Sequence, residues 1–389
     1  MKIMAILKRA AFASILTVSS VTTVAVHAEE PVKVGLVMSL SGAAAPFGIP
    51  ERDVIKILAD KYNTSNPKHK VELVYYDDMT NPTESARGAT KLIDQDHVVA
   101  IIGATTGSGS LALAPIAAAK SVPVLAPAGT ISLISKEHAF FPWMFRSSIS
   151  DEIAVGEALE RGIFAANKKN VAIIYQEDAY GKATKDYIVK KLKERNVSVT
   201  AEVSAALNAK DLSPAATKIR NSNPDAIFVQ ASAPALGAAF ARAAKQVGIT
   251  APLIGSFALN QRAFLENAGT SAEGMIIVSL GNWDDPSPKQ KELGEFLSKN
   301  GKTPTGFGEL LGATAFQALV EAIKRTDGPI TGAKLRDGLE SICDFNGTYL
   351  DGKLCYKGTH QGIGADSLVL MRVQGDKLKT ISDKAPASR

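Results

Sequence analysis

The chain has 389 residues, 21% charged and 46% hydrophobic, with a formal net charge of +5 and two cysteines. That length accommodates two domains of ordinary size. The near balance of charge, with no basic cluster, excludes a nucleic-acid surface. Lys2, Lys8 and Arg9 precede an apolar, small-residue run from Ala10 to Val26, and Val26-His27-Ala28 leads into Glu29-Glu30. This pattern predicts a secretory signal peptide cleaved after Ala28, an uncleaved N-terminal helix being the alternative. No cysteine stands at the cleavage point to take a lipid, so a soluble periplasmic protein is expected. Loss of the three leader cations brings the formal charge to +2. Export removes most ATP- and NAD-dependent chemistry from consideration, and no later apolar stretch approaches the length needed to span a bilayer.

From Val32 onward, β-rich runs alternate with helical patterns. Lys33–Met38 reads as a strand, and Pro50–Tyr62 as a helix with Val54, Ile55, Leu58 and Ala59 on one face. Strand Val71–Tyr76, helix Thr83–Asp94, strand Val98–Ile102, helix Ser110–Lys120 and strand Val122–Leu125 follow. The cadence restarts after Phe145-Arg146. Strands at Val171–Tyr175, Val197–Val203, Ala226–Val229 and Pro252–Ile254 are separated by helices near Lys182–Arg195, Ser213–Asn221 and Ala235–Gly248. Near-continuous apolar strands imply parallel sheets covered on both faces. The fold class is therefore α/β, with two doubly wound Rossmann-like lobes. Strand Gly274–Val278, a long helix at Gly312–Arg325 and a strand at Leu368–Val373 still need a sheet to join. A chain that crosses between the lobes more than once, forming a hinge, accommodates them. The expected division is 29–147 with 279–355 in lobe 1, and 148–278 with 356–389 in lobe 2.

Cys343 and Cys355 lie 12 positions apart. In an oxidising compartment they read as a local disulfide, two buried free thiols being the alternative. His69, His97, His138 and His360 are scattered without metal-ligand spacing, and no metal or cofactor is expected.

Ligands of doubly wound sheets sit at the carboxyl ends of the strands, where loops feed helix N-termini. Ser39–Gly42, Gly103–Gly109 and Ala126–Thr130 are small-residue, hydroxyl-rich loops at those positions. Unpaired helix-start amides suit an anion, and Thr105, Thr106, Ser108 and Thr130 add hydroxyls. Capping is the plainer role for Ser108 and Thr130. Enzyme motifs are missing. There is no G-x-G-x-x-G after a strand, no P-loop lysine in Gly103–Gly109, no G-x-S-x-G elbow and no nucleophile partner for His360. Asp77-Asp78 points to opposite faces of a strand end and reads as a capping or solvated pair.

Several motifs, in this order and spacing, resemble the periplasmic solute-binding proteins of branched-chain amino acid type that serve ABC importers. They are Val34–Gly42, Tyr76–Pro82, Val99–Gly103, Pro127–Thr130, Phe145-Arg146, Asp178–Gly181, Ser271–Gly274 and His360–Gly362. The resemblance implies the type I periplasmic binding fold, two lobes joined by three crossovers that close on a ligand. It implies that the Thr130 hydroxyl and amide and the Ala128 carbonyl hold the ligand carboxylate, with Thr105, Thr106, Gly107, Ser108 and Gly129 nearby. Phe47 falls where the family places an aromatic over the ligand. Tyr180, with Ser232, falls on the second-lobe side, and Phe257 and Phe307 supply apolar wall. The implied partners are a small organic acid or amino acid and inner-membrane permease and ATPase subunits, the binding protein being a monomer.

Two departures matter. The family's amino-acid binders usually pair the ligand ammonium with an acid in the loop that here reads Gly255-Ser-Phe-Ala258. Position 107 is glycine where the family often has serine. A stranded ammonium in a closed cleft costs several kcal/mol, on the order of a buried unpaired charge. The expected ligand is therefore an aromatic or 2-oxo acid. A sensory module feeding a membrane receptor is the alternative function.

Overall fold

The computed structural model describes residues 30–382; the leader and its cleavage site lie outside them, as do residues 383–389 of the expected second lobe. Strand β1 (Val32–Met38) is followed by helix α1 (Ala45–Thr64), β2 (Val71–Asp77), α2 (Pro82–Asp94), β3 (Ala100–Gly103), α3 (Gly107–Ala119), β4 (Val124–Ala126) and β5 (Met144–Arg146). These strands form one all-parallel sheet in the order β2-β1-β3-β4-β5. Every residue of β3, β4 and β5 is buried, as continuous apolar runs require when helices cover both faces.

The second sheet begins after α4 (Asp151–Leu159), which ends in a π-helical turn at Glu160–Phe164. Then come β6 (Asn170–Gln176), α5 (Ala179–Glu194), β7 (Ser198–Ala205), α6 (Ser213–Asn221), β8 (Ala226–Gln230), α7 (Pro234–Gln246), β9 (Leu253–Gly255), α8 (Arg262–Ala268) and β10 (Ile276–Leu280). After β10 come α9 (Pro288–Lys299), α10 (Gly308–Lys324) and α11 (Gly332–Glu340), before β11 (Leu368–Gln374) and β12 (Lys377–Ser382) complete the second sheet. Its order is β12-β11-β10-β9-β8-β6-β7, parallel except at the β10-β11-β12 edge.

Helix α10 returns to the first sheet's side and lies directly on α1. A Cβ on Gly308 would stand 3.1 Å from the Phe47 carbonyl oxygen, and one on Gly312 only 2.7 Å from that of Glu51. These small residues permit the close approach that sets Phe307 and Leu311 beside Phe47 and Glu51.

The chain thus passes between the sheets after β5, after β10 and before β11. The first and last passages are stitched together. The Arg146 amide donates to the His360 carbonyl at 2.9 Å, and the Gly362 amide donates to the Arg146 carbonyl at 3.1 Å. Arg146 Nη1 donates to Gln361 Oε1 at 2.7 Å, and Gln361 Nε2 donates to the Ser148 carbonyl at 3.0 Å. His360 is held between the rings of Phe141 and Phe145, with Nε2 2.5 Å from Glu340.

Cys343 and Cys355 are joined as a disulfide beside the Phe345–Leu354 bridge. Reducing it is expected to cost about 3 kcal/mol for a loop of this length, and so to lower the melting temperature. Two reactive thiols in the native exported protein would contradict the bond.

Candidate functional site

Three loops at the carboxyl ends of β1, β3 and β4 meet the segments that follow β6, β8 and β9 of the second sheet. The first loop is held by the acidic pair that ends β2. Asp77 accepts from the amides of Leu40, Ser41 and Met79, while buried Asp78 accepts from the hydroxyls of Ser39 and Ser85. The pair is thus a clamp that shapes the site; it caps, as one of the two roles read from the sequence had it, but Asp78 is buried rather than solvated.

Between the lobes lies a narrow cleft with an internal volume of about 40 Å³. Ten of the twelve expected ligand residues line it: Phe47, Thr105, Thr106, Gly107, Ala128, Gly129, Tyr180, Ser232, Phe257 and Phe307. Of the other lining residues, Pro127 and Ala258 lie in loops already singled out, while Ala44, Glu51 and Leu311 were not anticipated. The other two expected residues, Ser108 and Thr130, are not among the lining residues. Ser108 does not face the cleft; its hydroxyl donates to Asp178 Oδ2 at 3.0 Å, joining the N-terminus of α3 to that of α5. Asp178 also accepts from Gln176 Nε2 at 2.6 Å, and Gln176 Oε1 accepts from the Ser232 hydroxyl at 2.8 Å. Ser108 therefore fastens one lobe to the other. Nor does it cap α3, which starts earlier than expected; Thr106 does so, accepting from the Gly109 amide at 3.2 Å.

Thr130 stands just behind the lining, wholly buried, and its hydroxyl has no hydrogen-bond partner. It makes no side-chain cap to the short turn Ile131–Ile134. An ideal Cβ on Gly107 would lie 1.6 Å from Thr130 Oγ1, so glycine at 107 leaves the space the hydroxyl fills. The adjacent start of α3 supplies first-turn amides without intrahelical acceptors and the positive end of the dipole. This is the anion-attracting end of the cleft. Tyr180 closes it from the second lobe: its hydroxyl accepts from Gln230 Nε2 at 2.8 Å and donates to Asp151 Oδ1 at 3.4 Å.

From Phe257, beside Gly129, an aromatic wall leads to a buried acid. Phe47 and Phe257 each meet Phe307 edge-on, with centroids 5.3 Å apart. Glu51 Oε2 accepts from the Thr105 hydroxyl at 2.8 Å. Burial pushes Glu51 up to about 8 despite that bond, with Asp78 and Glu309 adding repulsion. Glu309, which accepts from the Thr305 amide and hydroxyl, is pushed up to about 7, again by burial. Burial likewise raises Asp151 to about 7, opposed by Arg146.

These raised acids have a consequence for stability. Between about pH 4.5 and 8 the folded state binds more protons at Glu51, Glu309 and Asp151 than the unfolded chain does. Stability should therefore fall as pH rises through that window. A melting temperature higher at pH 5 than at pH 8.5 is the expected result; an equal or lower one would contradict these environments. Asp53 and Asp77, whose values are lowered, act only on the acid side of about pH 4.

A family model described as periplasmic binding protein matches residues 31–377. The chain belongs to that family. Among its relatives is the Leu/Ile/Val-binding protein of Escherichia coli (strain K12), 22% identical over 307 residues, spanning 78% of this chain and 82% of the relative. An amino acid binding protein of Pseudomonas aeruginosa is 24% identical over 314 residues, 79% of this chain and 82% of the relative. A leucine binding protein structure from Thermotoga maritima superposes with a TM-score of 0.80 at 24% identity, covering 90% of this chain and 98% of that one. A branched-chain amino acid transporter substrate binding protein from Streptococcus pneumoniae, in complex with isoleucine, gives 0.77 at 21% identity, covering 90% and 98%.

This periplasmic binding protein is a solute-binding protein and not an enzyme, as the motif series led us to expect. Among its described residues no helix is long and apolar enough to cross a membrane, and no group of three or more His, Cys, Asp or Glu is placed to hold a metal. Glu51 carried a sequence signal that went unread. It lies three and four positions before Val54 and Ile55, on the apolar stripe of α1, where an acid has to be buried.

Proposed function

We propose that this protein is the periplasmic component of an ABC importer, released after cleavage behind Ala28. In this reading it works as a monomer, captures a small organic carboxylate between its lobes and delivers it to the permease and its ATPase. The lobes are taken as 29–147 with 279–355, and 148–278 with 356–389, save that Ser279 and Leu280 complete β10 of the second sheet. Ligand contacts across the cleft favour the closed form, which docks on the permease. The carboxylate is assigned to the end formed by Thr106, Gly107, Ala128, Gly129 and Tyr180, with the orphaned Thr130 hydroxyl as an added donor.

One observation carries the ligand class. Phe257 lines this end at the place where an acid was expected, and a Cβ on Gly129 would stand 2.8 Å from its ring. The one carboxyl group in the lining, Glu51, is held protonated by burial, so an α-ammonium meets no ready counter-charge. An aromatic or 2-oxo acid avoids that cost and gains the apolar wall.

A thermal-shift panel of leucine, phenylalanine, benzoate and phenylpyruvate tests this. Ligands that bind only the folded state raise its melting temperature, so the deaminated acids should shift it and the amino acids should not. Micromolar response to leucine, with none to benzoate or phenylpyruvate, would contradict the proposal.

A further inference from the structure

Glu51 is the one carboxyl group lining the cleft among the described residues. It stands one helical turn after Phe47 on α1, so both side chains face the same way. The Thr105 hydroxyl supplies its hydrogen bond, and its charged neighbours, Asp78 and Glu309, are acids too. A carboxyl group accepts more than one hydrogen bond, and a buried acceptor left unmet is costly. Three rings run from the anion-attracting end to this group: Phe257 beside Gly129, then Phe307, then Phe47. The rings thus form one wall between Gly129 and Glu51, while Thr105, which holds Glu51, adjoins Thr106 on another.

We propose that Glu51 selects the far end of the ligand: beyond its carboxylate and an apolar middle, the bound acid carries a hydrogen-bond donor, a hydroxyl or an ammonium, that the Glu51 carboxyl receives. This rests on the carboxylate reading above and deepens it. A site built to hydrogen-bond a donor rejects the analogue that lacks it, because the protein's polar group is then stranded. The two donor types differ in one respect. Burial holds Glu51 largely protonated near neutral pH, so a hydroxyl binds without proton exchange, whereas an ammonium displaces the proton.

Calorimetric titration of the mature protein with 3-phenylpropanoate, 3-(4-hydroxyphenyl)propanoate and 5-aminopentanoate, in buffers of different ionisation enthalpy, tests the assignment. At least one donor-bearing acid should bind tenfold or more tighter than 3-phenylpropanoate. Proton release into buffer identifies the ammonium, and its absence the hydroxyl. Glu51→Leu should reduce the advantage below twofold while 3-phenylpropanoate still binds; should that variant fail to fold, Glu51→Gln serves, keeping a hydroxyl preference but losing an ammonium preference. Binding of 3-phenylpropanoate as tightly as both others would uphold the carboxylate reading and overturn this one, as would an advantage that persists in Glu51→Leu. Failure of all three acids to bind would overturn both.

Discussion

Replacing Gly107 by alanine is expected to weaken ligand binding at least tenfold and to destabilise the protein by roughly 1–3 kcal/mol, the usual cost of overpacking. The added methyl would lie 1.6 Å from Thr130 Oγ1 and 2.9 Å from Thr130 Cβ, with the Tyr180 ring at 3.4 Å. Thr130 has little freedom to retreat, because it is wholly buried and its carbonyl accepts from Arg146 Nη2. Helix propensity opposes this effect, since alanine is favoured over glycine by up to about 1 kcal/mol. If the space were slack, the variant would be more stable than the parent. The double variant Gly107→Ala, Thr130→Ala separates the terms: removing the hydroxyl should restore most of the stability but not the affinity. A single variant with unchanged melting temperature and affinity would contradict the packing described for this end of the cleft.

Arg146→Met is expected to cost about 3–5 kcal/mol, as when one partner of a buried charge pair is removed. Methionine keeps much of the volume, so the loss is chiefly polar. Arg146 is 1% exposed and donates to Gln361 and to the carbonyls of Thr130 and Ile131. Its charge also opposes the burial that raises Asp151. Without it, Asp151 has either to take up a proton or to remain a buried charge, so the penalty should be larger at pH 8 than at pH 5. Because the same guanidinium secures Thr130, affinity should fall with stability. Denaturant unfolding within about 0.5 kcal/mol of the parent, the range of an ordinary surface substitution, would contradict this role.

Much of the fold was legible because parallel strands buried on both faces leave continuous apolar runs, as at Val98–Ile102 and Ala226–Val229. What escaped had weaker local signals. Strand β5, Met144–Arg146, is three residues long and read as a junction between cadences. Helix α3 starts at Gly107 rather than Ser110, since Gly-Ser-Gly is poor helix material whose place is set by the Thr106 cap. Helix α1 starts at Ala45, five residues before the Pro50 that served as its start signal. The α4 helix and its π-turn, α8, α9, α11 and β12 were not anticipated. At the site, the loops disclosed the hydroxyl and amide end. They did not disclose which hydroxyls face inward: Ser108 turns to Asp178, a partner 70 residues away, and Thr130 retreats behind a glycine. Leu311 enters the cleft only because α10 returns to pack on α1, a tertiary event outside any local pattern.

The most direct test of the central claim is a crystal structure of the protein with bound phenylpyruvate. The account predicts the acid between the lobes, its carboxylate within hydrogen-bond distance of the Gly107 amide or the Thr130 hydroxyl and its ring against Phe257 and Phe307. A carboxylate turned toward Glu51, or an acid bound outside the cleft, would contradict it.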